Sequence, residues 1–312
     1  MTDALLIAVV GAPLLAALLV RLPRTPAGAD RVNVLSASVA LVLALVASGL
    51  GASHGSQGLR GSWFMLDRAG SGFLAVIAVV GWCSALVSPA YLAGHGKSLF
   101  TARRARAWYY TAFHLFWAAL LALALVKNLG VAWLLIEATT GASALLVAYS
   151  GSRNALEAGW KYLVLTTFGL AVALLGILIL FAGLAPHGGG LATLDWQSVA
   201  AHAHGLSHRT ALFALVLILV GLAAKIGWAP VHNWLPDAHS EAPPPISALL
   251  SAALLPTVML IAWRVVLALG SGGAGRLGYD LMLAFGLASL AFAIPFLWRP
   301  MAWKRLLAYS SL

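Results

Sequence analysis

The sequence predicts an all-α fold, a polytopic bundle of transmembrane helices. Of its 312 residues, 62% are hydrophobic and only 9% are charged, whereas soluble domains carry about 25% charged residues. Apolar stretches of about 20 residues, the length of a membrane-spanning helix, recur along the whole chain. This composition excludes a soluble enzyme, a disordered chain and a nucleic-acid-binding protein, and it makes the lipid bilayer the expected surroundings.

Nine apolar stretches predict nine spans, and a tenth span begins at Met301. The seventh stretch contains Gly227 and Pro230 and ends at Pro236. Proline lacks a backbone donor and clashes with a carbonyl one turn before it, so we expect this helix to break after Lys225. The predicted spans cover residues 4–21, 32–50, 69–90, 107–126, 129–149, 158–184, 210–235, 246–267 and 279–298.

The basic residues predict the orientation of these spans. If the spans alternate in direction, 11 of the 19 Lys and Arg residues fall on one side and 6 on the other. The more basic side is expected to be cytoplasmic, which puts the N-terminus outside in a multi-pass protein of the inner (plasma) membrane. On the outer face, residues 51–68 are long enough for a small hairpin with Gly and Ser as turn residues.

The sequence contains no pattern for a catalytic centre of its own. A Gly-rich phosphate loop, a nucleophile elbow, a CxxC pair and a haem or iron–sulfur ligand set are all missing from it. Residues 185–209 hold Asp195, His202, His204 and His208, but we interpret this glycine-rich segment as a solvated loop because a metal site needs a fixed geometry. We therefore expect no metal and no cofactor, and leave open whether the chain serves an enzyme as a subunit.

Two ionisable residues lie well inside predicted spans. A charge near the bilayer centre is costly, so Glu137 in the fifth span and Lys225 beside the break are candidate functional residues. Each would otherwise be an uncompensated charge, and we expect the two side chains to approach within direct or one-water reach. Broken membrane helices are tolerated where they line a hydrated cavity, which makes Lys225 the strongest local signal in the sequence.

Lys161 and His114 are weaker candidates for the same chemistry. Lys161 follows Glu157 by one turn, so it is either a proton carrier or half of a surface ion pair. His114 in the fourth span is either a member of a proton relay or a hydrogen-bonded core histidine. Lysine, glutamate and histidine can each change protonation once burial shifts their pKa, and together they suit a proton path.

The segment KIGWAPVHNWLPDAHSEAPPPISALLSAALL, which starts at Lys225, resembles the signature of the antiporter-like proton-translocating subunits. That family includes the large membrane subunits of respiratory Complex I, the Mrp antiporters and the matching subunits of membrane-bound hydrogenases. Within it, the sequence WLPDAHSEAP is most similar to that of the hydrogenase-4 and formate hydrogenlyase branch. The residues of this broken-helix motif are Gly227, Pro230, His232, Trp234, Pro236, Asp237, His239 and Glu241.

The resemblance implies a fold with two inverted five-helix repeats, each containing a broken helix. Residues 1–106 would form an N-terminal three-helix segment with the outer hairpin loop, and residues 107–267 the first proton-translocating repeat. Residues 268–312 would form the start of a second, incomplete repeat. Relatives continue through further helices, so we expect the chain to be truncated at its C-terminal end.

The resemblance also implies roles for individual residues. Glu137 matches the fifth-helix glutamate, Lys225 the broken-helix lysine that pairs with it, and Lys161 a sixth-helix lysine of several relatives. The sequence departs from the family at Pro256, where relatives often carry lysine or histidine. A relay in the eighth span would then be absent, or would run through water or the hydroxyls of Ser247, Ser251 and Thr257.

These expectations favour an antiporter-like membrane subunit of a respiratory redox complex of the hydrogenase-4 or NADH–quinone oxidoreductase type. It would move protons, with Na+ as the alternative ion, beside other membrane subunits of that complex. Three other functions stay open: a subunit of an Mrp-type Na+/H+ antiporter, a proton-coupled subunit for inorganic-carbon uptake, and an inert scaffold fragment.

Overall fold

The computed structural model describes residues 2–54, 58–94, 98–99, 104–187, 189–298 and 302–312. Within these residues, nine helical stretches are long and apolar enough to cross a membrane, and each coincides with a predicted span, which confirms the predicted fold class. The α-helices are α1 (Thr2–Leu19), α2 (Pro26–Ser53), α3 (Arg68–Gly94), α4 (Ala105–Leu125), α5 (Leu129–Val147), α6 (Arg153–Leu184), α7 (Trp196–His202), α8 (His208–Ile226), α9 (Trp234–Glu241), α10 (Pro244–Leu249), α11 (Leu255–Leu269), α12 (Gly275–Leu297) and α13 (Trp303–Ser311).

The chain packs as two compact units. Unit 1 comprises Met1–Val126, Ala138–Leu163 and Ala238–Thr257. Unit 2 comprises Lys127–Glu137, Val164–Asp237 and Val258–Leu312. The repeat boundaries expected from the sequence, at residues 106 and 267, are not tested by this division and stay a prediction.

Helix α4 forms the core of unit 1. It is buried nearly all round and packs against α1, α2 and α3. Its polar side chains find partners on these neighbours: Thr111 donates to the carbonyl of Ala17 at 3.0 Å, and the indole of Trp117 donates to the carbonyl of Ile77 at 3.0 Å. These two hydrogen bonds satisfy the polar groups of Thr111 and Trp117 inside the bundle, as a low-dielectric environment requires.

The hairpin predicted for residues 51–68 is present in unit 1. Strands β1 (Leu59–Arg60) and β2 (Met65–Leu66) pair antiparallel, with Leu59 opposite Leu66. Residues 55–57 of the predicted loop lie outside the described residues.

The segment between α6 and α8 in unit 2 differs from the solvated loop expected for it. Its described part folds into α7 and three short 3₁₀ turns, Ala185–His187, Leu191–Leu194 and Ala203–Gly205. The side-chain amide of Asn128, just before α5, donates to the carbonyl of Leu191 and to Asp195, both at 2.7 Å. These partly buried hydrogen bonds fasten the segment to the start of α5.

The eighth span is interrupted by one wide turn. A π-helical segment, Leu250–Leu254, joins α10 to α11, and the amide of Leu255 bonds to the carbonyl of Leu250. Pro256 follows directly and has no N–H to donate, so the regular bonding pattern cannot continue through this point.

Several predicted span ends need correction. Helix α2 begins at Pro26 instead of 32, α6 at Arg153 instead of 158, and α12 at Gly275 instead of 279. The helix after α12 begins at Trp303, two residues beyond the predicted start at Met301, which itself lies outside the described residues.

Candidate functional site

Lys225 lies in the last turn of α8, where its side chain is completely buried in unit 2. The helix ends at Ile226 because Gly227 adopts a left-handed conformation (φ 81°), which residues with a Cβ rarely do. The predicted span of 210–235 is therefore too long. The break follows Lys225, as predicted, but Gly227 ends the helix before Pro230 is reached.

The end of α8 is closed by hydrogen bonds from the segment that follows it. The amides of Gly227 and Trp228 both bond to the carbonyl of Ala223, at 2.9 and 3.0 Å. The indole of Trp234, at the start of α9, donates to the carbonyl of Ala224 at 2.7 Å. These bonds fold the chain back over the turn that carries Lys225, so the position of the lysine is fixed by its neighbours.

Glu137 lies in the part of α5 that belongs to unit 2. The hydroxyl of Thr167 on α6 donates to the Glu137 carboxylate at 3.5 Å, and nearby the indole of Trp133 donates to the carbonyl of Leu170 at 2.8 Å. Glu137 and Lys225 lie close enough for their opposite charges to attract each other through space. The two residues thus interact electrostatically within unit 2, and their approach within direct or one-water reach stays a prediction.

Helix α12 packs against the non-helical segment between α8 and α9. The amide of Ala229 donates to the hydroxyl of Ser289 at 3.0 Å, and both residues are buried. On the same face of α12, the ring of Phe285 stacks on that of Trp228, with ring centroids 5.4 Å apart. The ring of Phe292 packs against that of His232, also with ring centroids 5.4 Å apart. We name the three α12 residues Phe285, Ser289 and Phe292 the break clamp.

The break clamp is not recognisable from the sequence. Its members are spaced four and three residues apart, so they share one helix face. In a membrane span, however, most of the other residues are apolar as well, so this spacing does not show which face of the helix packs against protein.

The other residues of the broken-helix motif make separate local contacts. Pro230 follows a cis peptide bond, and Asp237 accepts a hydrogen bond from Arg305 of α13 at 3.3 Å. His239 bonds through Nδ1 to the hydroxyl of Ser247 at 2.9 Å, and burial lowers the pKa of His239 to about 4. The remaining motif residues Pro236 and Glu241 lie within α9.

His114 and Lys161 belong to unit 1. His114 is fully buried, and neither ring nitrogen has a hydrogen-bond partner in the described part of the chain. Its ring packs against Phe113 and Trp117, with centroids 5.2 and 6.2 Å away. Lys161 forms an exposed ion pair with Glu157 at 2.7 Å, which is the surface pair that the sequence left open.

The residues described by the structure hold no group of three or more His, Cys, Asp or Glu side chains that could bind a metal ion. In the 185–209 segment, His202 instead bonds to the carbonyl of Ser198 at 2.9 Å. The candidate site of unit 2 therefore consists of one carboxylate, one ammonium and a helix break, a set suited to holding and passing a proton.

The chain is similar to known subunits of respiratory membrane complexes. It is 34% identical over 254 residues to a hydrogenase-4 component F homolog of Methylacidiphilum infernorum (isolate V4), covering 81% of this chain and 53% of that protein. It is 27% identical over 248 residues to NADH-quinone oxidoreductase subunit N of Ectopseudomonas mendocina (strain ymp), covering 79% of this chain and 48% of that protein. The chain thus spans about half the length of these relatives.

Two solved structures share the fold. A chain of the membrane-bound sulfane sulfur reductase, an archaeal respiratory membrane complex, matches with a TM-score of 0.84 at 22% identity, over 98% of this chain and 62% of that one. A chain of respiratory complex I from Thermus thermophilus matches with a TM-score of 0.73 at 22% identity, over 100% of this chain and 61% of that one.

A family model described as "NADH:quinone oxidoreductase/Mrp antiporter, TM" matches residues 126–312, more than half of the chain. This range contains α5, α8 and the broken-helix motif, the segments on which the resemblance was based. The family predicted from the motif is therefore confirmed, and the chain belongs to the antiporter-like membrane subunits of the NADH:quinone oxidoreductase/Mrp antiporter family.

Proposed function

We propose that the chain is a proton-translocating membrane subunit of a respiratory redox complex of the hydrogenase-4 or NADH–quinone oxidoreductase type. Its similarity to a hydrogenase-4 component F homolog and to subunit N of NADH-quinone oxidoreductase supports this proposal. The redox reaction would take place on partner subunits, and this chain would conduct protons through the bilayer.

The observation that carries the proposal is the complete burial of Lys225 at a helix break. Burying a charge costs several kcal/mol, so a lysine in this place needs a compensating partner and, inside a membrane, points to function. Glu137 supplies the opposite charge. The chain is not helical between Ile226 and Trp234, and broken membrane helices are tolerated where they line a hydrated cavity, which would give a proton on Lys225 a route to leave.

Proton exchange requires that Lys225 alternate between ammonium and neutral amine. Glu137 favours the ammonium, because its carboxylate is nearby and half-buried. Protonation of Glu137 removes that attraction and favours release of the lysine proton. The pair therefore behaves as one coupled titrating unit. His114 and Lys161 remain candidate proton carriers on the basis of the sequence alone.

A proton suits this pair better than Na+ does. A sodium ion needs several oxygen ligands, and Lys225 offers none because its ammonium carries only donors. We accordingly propose H+ as the transported ion, other membrane subunits of the complex as partners, and the inner membrane as the location.

The proposed orientation has the N-terminus outside. Reporter fusions after Arg106 and after Arg153 should then be cytoplasmic, and fusions in the 185–209 segment should be external. A cytoplasmic reporter in that segment would contradict the alternation of spans between residues 107 and 210.

The function is tested by two substitutions at Lys225 in membrane vesicles that contain the assembled complex, with proton uptake and redox turnover measured together. Lys225→Ala should abolish proton uptake, because no group remains to carry the proton. Lys225→Arg should fail nearly as badly, because a guanidinium keeps its proton at any physiological pH. Lys304→Arg, the same change at an exposed lysine of α13, is the matched control and should pump normally.

Two results would overturn the proposal. Normal pumping by Lys225→Arg would leave only a fixed positive charge as the role of this residue. Normal pumping by both variants in a correctly assembled complex would favour the inert scaffold.

A further inference from the structure

Three helix ends meet in unit 1, and three arginines, Arg21, Arg24 and Arg31, lie close together along the chain between the end of α1 and the first turns of α2. The guanidinium of Arg21, just after α1, lies over the ring of Trp108 on α4, with its central carbon 4.5 Å from the ring centre. The hydroxyl of Thr111 ties α4 to the carbonyl of Ala17 near the end of α1. Asp30, in the first turns of α2, pairs with Arg106 of α4. The ends of α1, α2 and α4 are thus fixed next to each other.

The arginines at this meeting point are exposed and lack protein counterions. Arg21, Arg24 and Arg31 form no ion pair with a carboxylate anywhere in the described residues. Asp30 does not serve them, since one of its oxygens accepts from Arg106 and the other from the hydroxyl of Tyr110. We name Arg21, Arg24 and Arg31 the arginine cluster.

The cluster borders on an exposed apolar surface. Leu18 and Leu22, on either side of the end of α1, are 64% and 74% exposed, and Trp108 is 38% exposed. Exposed leucines on a membrane helix contact acyl chains, and tryptophan is typical of the interface between acyl chains and headgroups. Positive charge and apolar surface therefore adjoin each other at one level of the protein.

We propose that the arginine cluster binds the headgroup of an anionic phospholipid. Arginine presents paired donors that match the two free oxygens of a phosphodiester, and stacking on Trp108 orients the guanidinium of Arg21 for this contact. Leu18 and Leu22 cover the first part of the acyl chains. A free phosphate ion would use the arginines alone, whereas the adjoining leucines are suited to a lipid.

This proposal is independent of proton transfer and is tested by lipid binding alone. The full chain is purified in a neutral detergent, and binding of phosphatidylglycerol and phosphatidylcholine is measured by native mass spectrometry. Phosphatidylglycerol should bind more tightly, because phosphatidylcholine carries a cationic group that the arginines repel. A basic residue near an anionic lipid contributes about fivefold to affinity, so Arg21→Gln should weaken phosphatidylglycerol binding about fivefold and the double change with Arg24→Gln about 25-fold.

Control variants separate binding from folding. Arg68→Gln removes an exposed arginine at the start of α3 and should leave lipid affinity unchanged. Arg21→Lys keeps the charge but loses the planar stacking, so its loss should be smaller than that of Arg21→Gln. Equal binding of the two lipids by the unmodified chain, or unchanged affinity in the double variant, would overturn the proposal. Competition by inorganic phosphate at millimolar concentration would overturn it as well, because the site would then recognise a free ion.

Discussion

Replacing Ser289 by alanine removes the acceptor of a buried hydrogen bond in the broken helix. Ala229 is completely buried and its amide donates to the Ser289 hydroxyl at 3.0 Å. Alanine leaves this amide without a partner, and Pro230 directly after it prevents the local chain from shifting freely. We expect the break after Gly227 to loosen while the helices on either side stay intact.

The magnitude follows from the cost of an unpaired buried donor. That cost is about 1–3 kcal/mol, and about 1.4 kcal/mol corresponds to a tenfold change in an equilibrium constant. Hydrogen exchange at the Ala229 amide, followed by mass spectrometry, should therefore accelerate about 5- to 150-fold in Ser289→Ala. Ser289→Thr keeps the hydroxyl and should restore slow exchange. On the proposed function, proton uptake should fall in Ser289→Ala and recover in Ser289→Thr.

Ser48→Ala is the matched control for this experiment. Ser48 is also buried, and its hydroxyl donates to the carbonyl of Ser71 at 2.6 Å, but it belongs to unit 1. Its replacement should leave exchange at Ala229 unchanged. The reasoning is refuted if Ala229 exchanges equally slowly in Ser289→Ala and in the unmodified protein, or if Ser48→Ala accelerates it to the same extent.

Two further predictions concern stability. Asn128→Ala removes a helix cap and two hydrogen bonds that fasten the 185–209 segment. The free energy of unfolding should therefore fall by about 0.5–2 kcal/mol, and limited proteolysis should cut this segment faster. An unchanged rate of proteolysis would contradict the fastening role of Asn128. Burial lowers the pKa of His239 from 6.5 to about 4, so the unfolded chain binds more protons than the folded one between these values, and stability should fall as pH drops from 6.5 toward 4. His239→Gln should flatten that dependence in chemical denaturation, and an identical slope in both proteins would exclude His239 as its source.

The sequence was sufficient for the spans, because the length of an apolar stretch directly reflects the thickness of the bilayer. It was also sufficient to single out Glu137 and Lys225 as ionisable residues within spans, whereas their approach within direct or one-water reach stays a prediction. The proline pattern puts the end of α8 too late, because Gly227, which precedes Pro230, already leaves the helical conformation.

The faces by which the helices pack against each other cannot be predicted from the sequence. In water, the apolar face of a helix identifies its buried side, but in a bilayer lipid and protein accept the same apolar residues. The break clamp on α12 and the nearly complete burial of α4 therefore became visible only in the structure. The helical turns between α6 and α8 were missed for another reason, since their stability depends on Asn128, a residue distant in sequence.

The central position of α4 has a consequence for the synthesis of the protein. Among the nine candidate spans of the described residues, α4 has the lowest mean hydropathy, so its own transfer into the bilayer is the least favourable. Its side-chain bonds go to α1, α2 and α3, all of which leave the ribosome earlier. We therefore expect the first three helices to stabilise α4 in the membrane, and a chain made without them should insert α4 less efficiently.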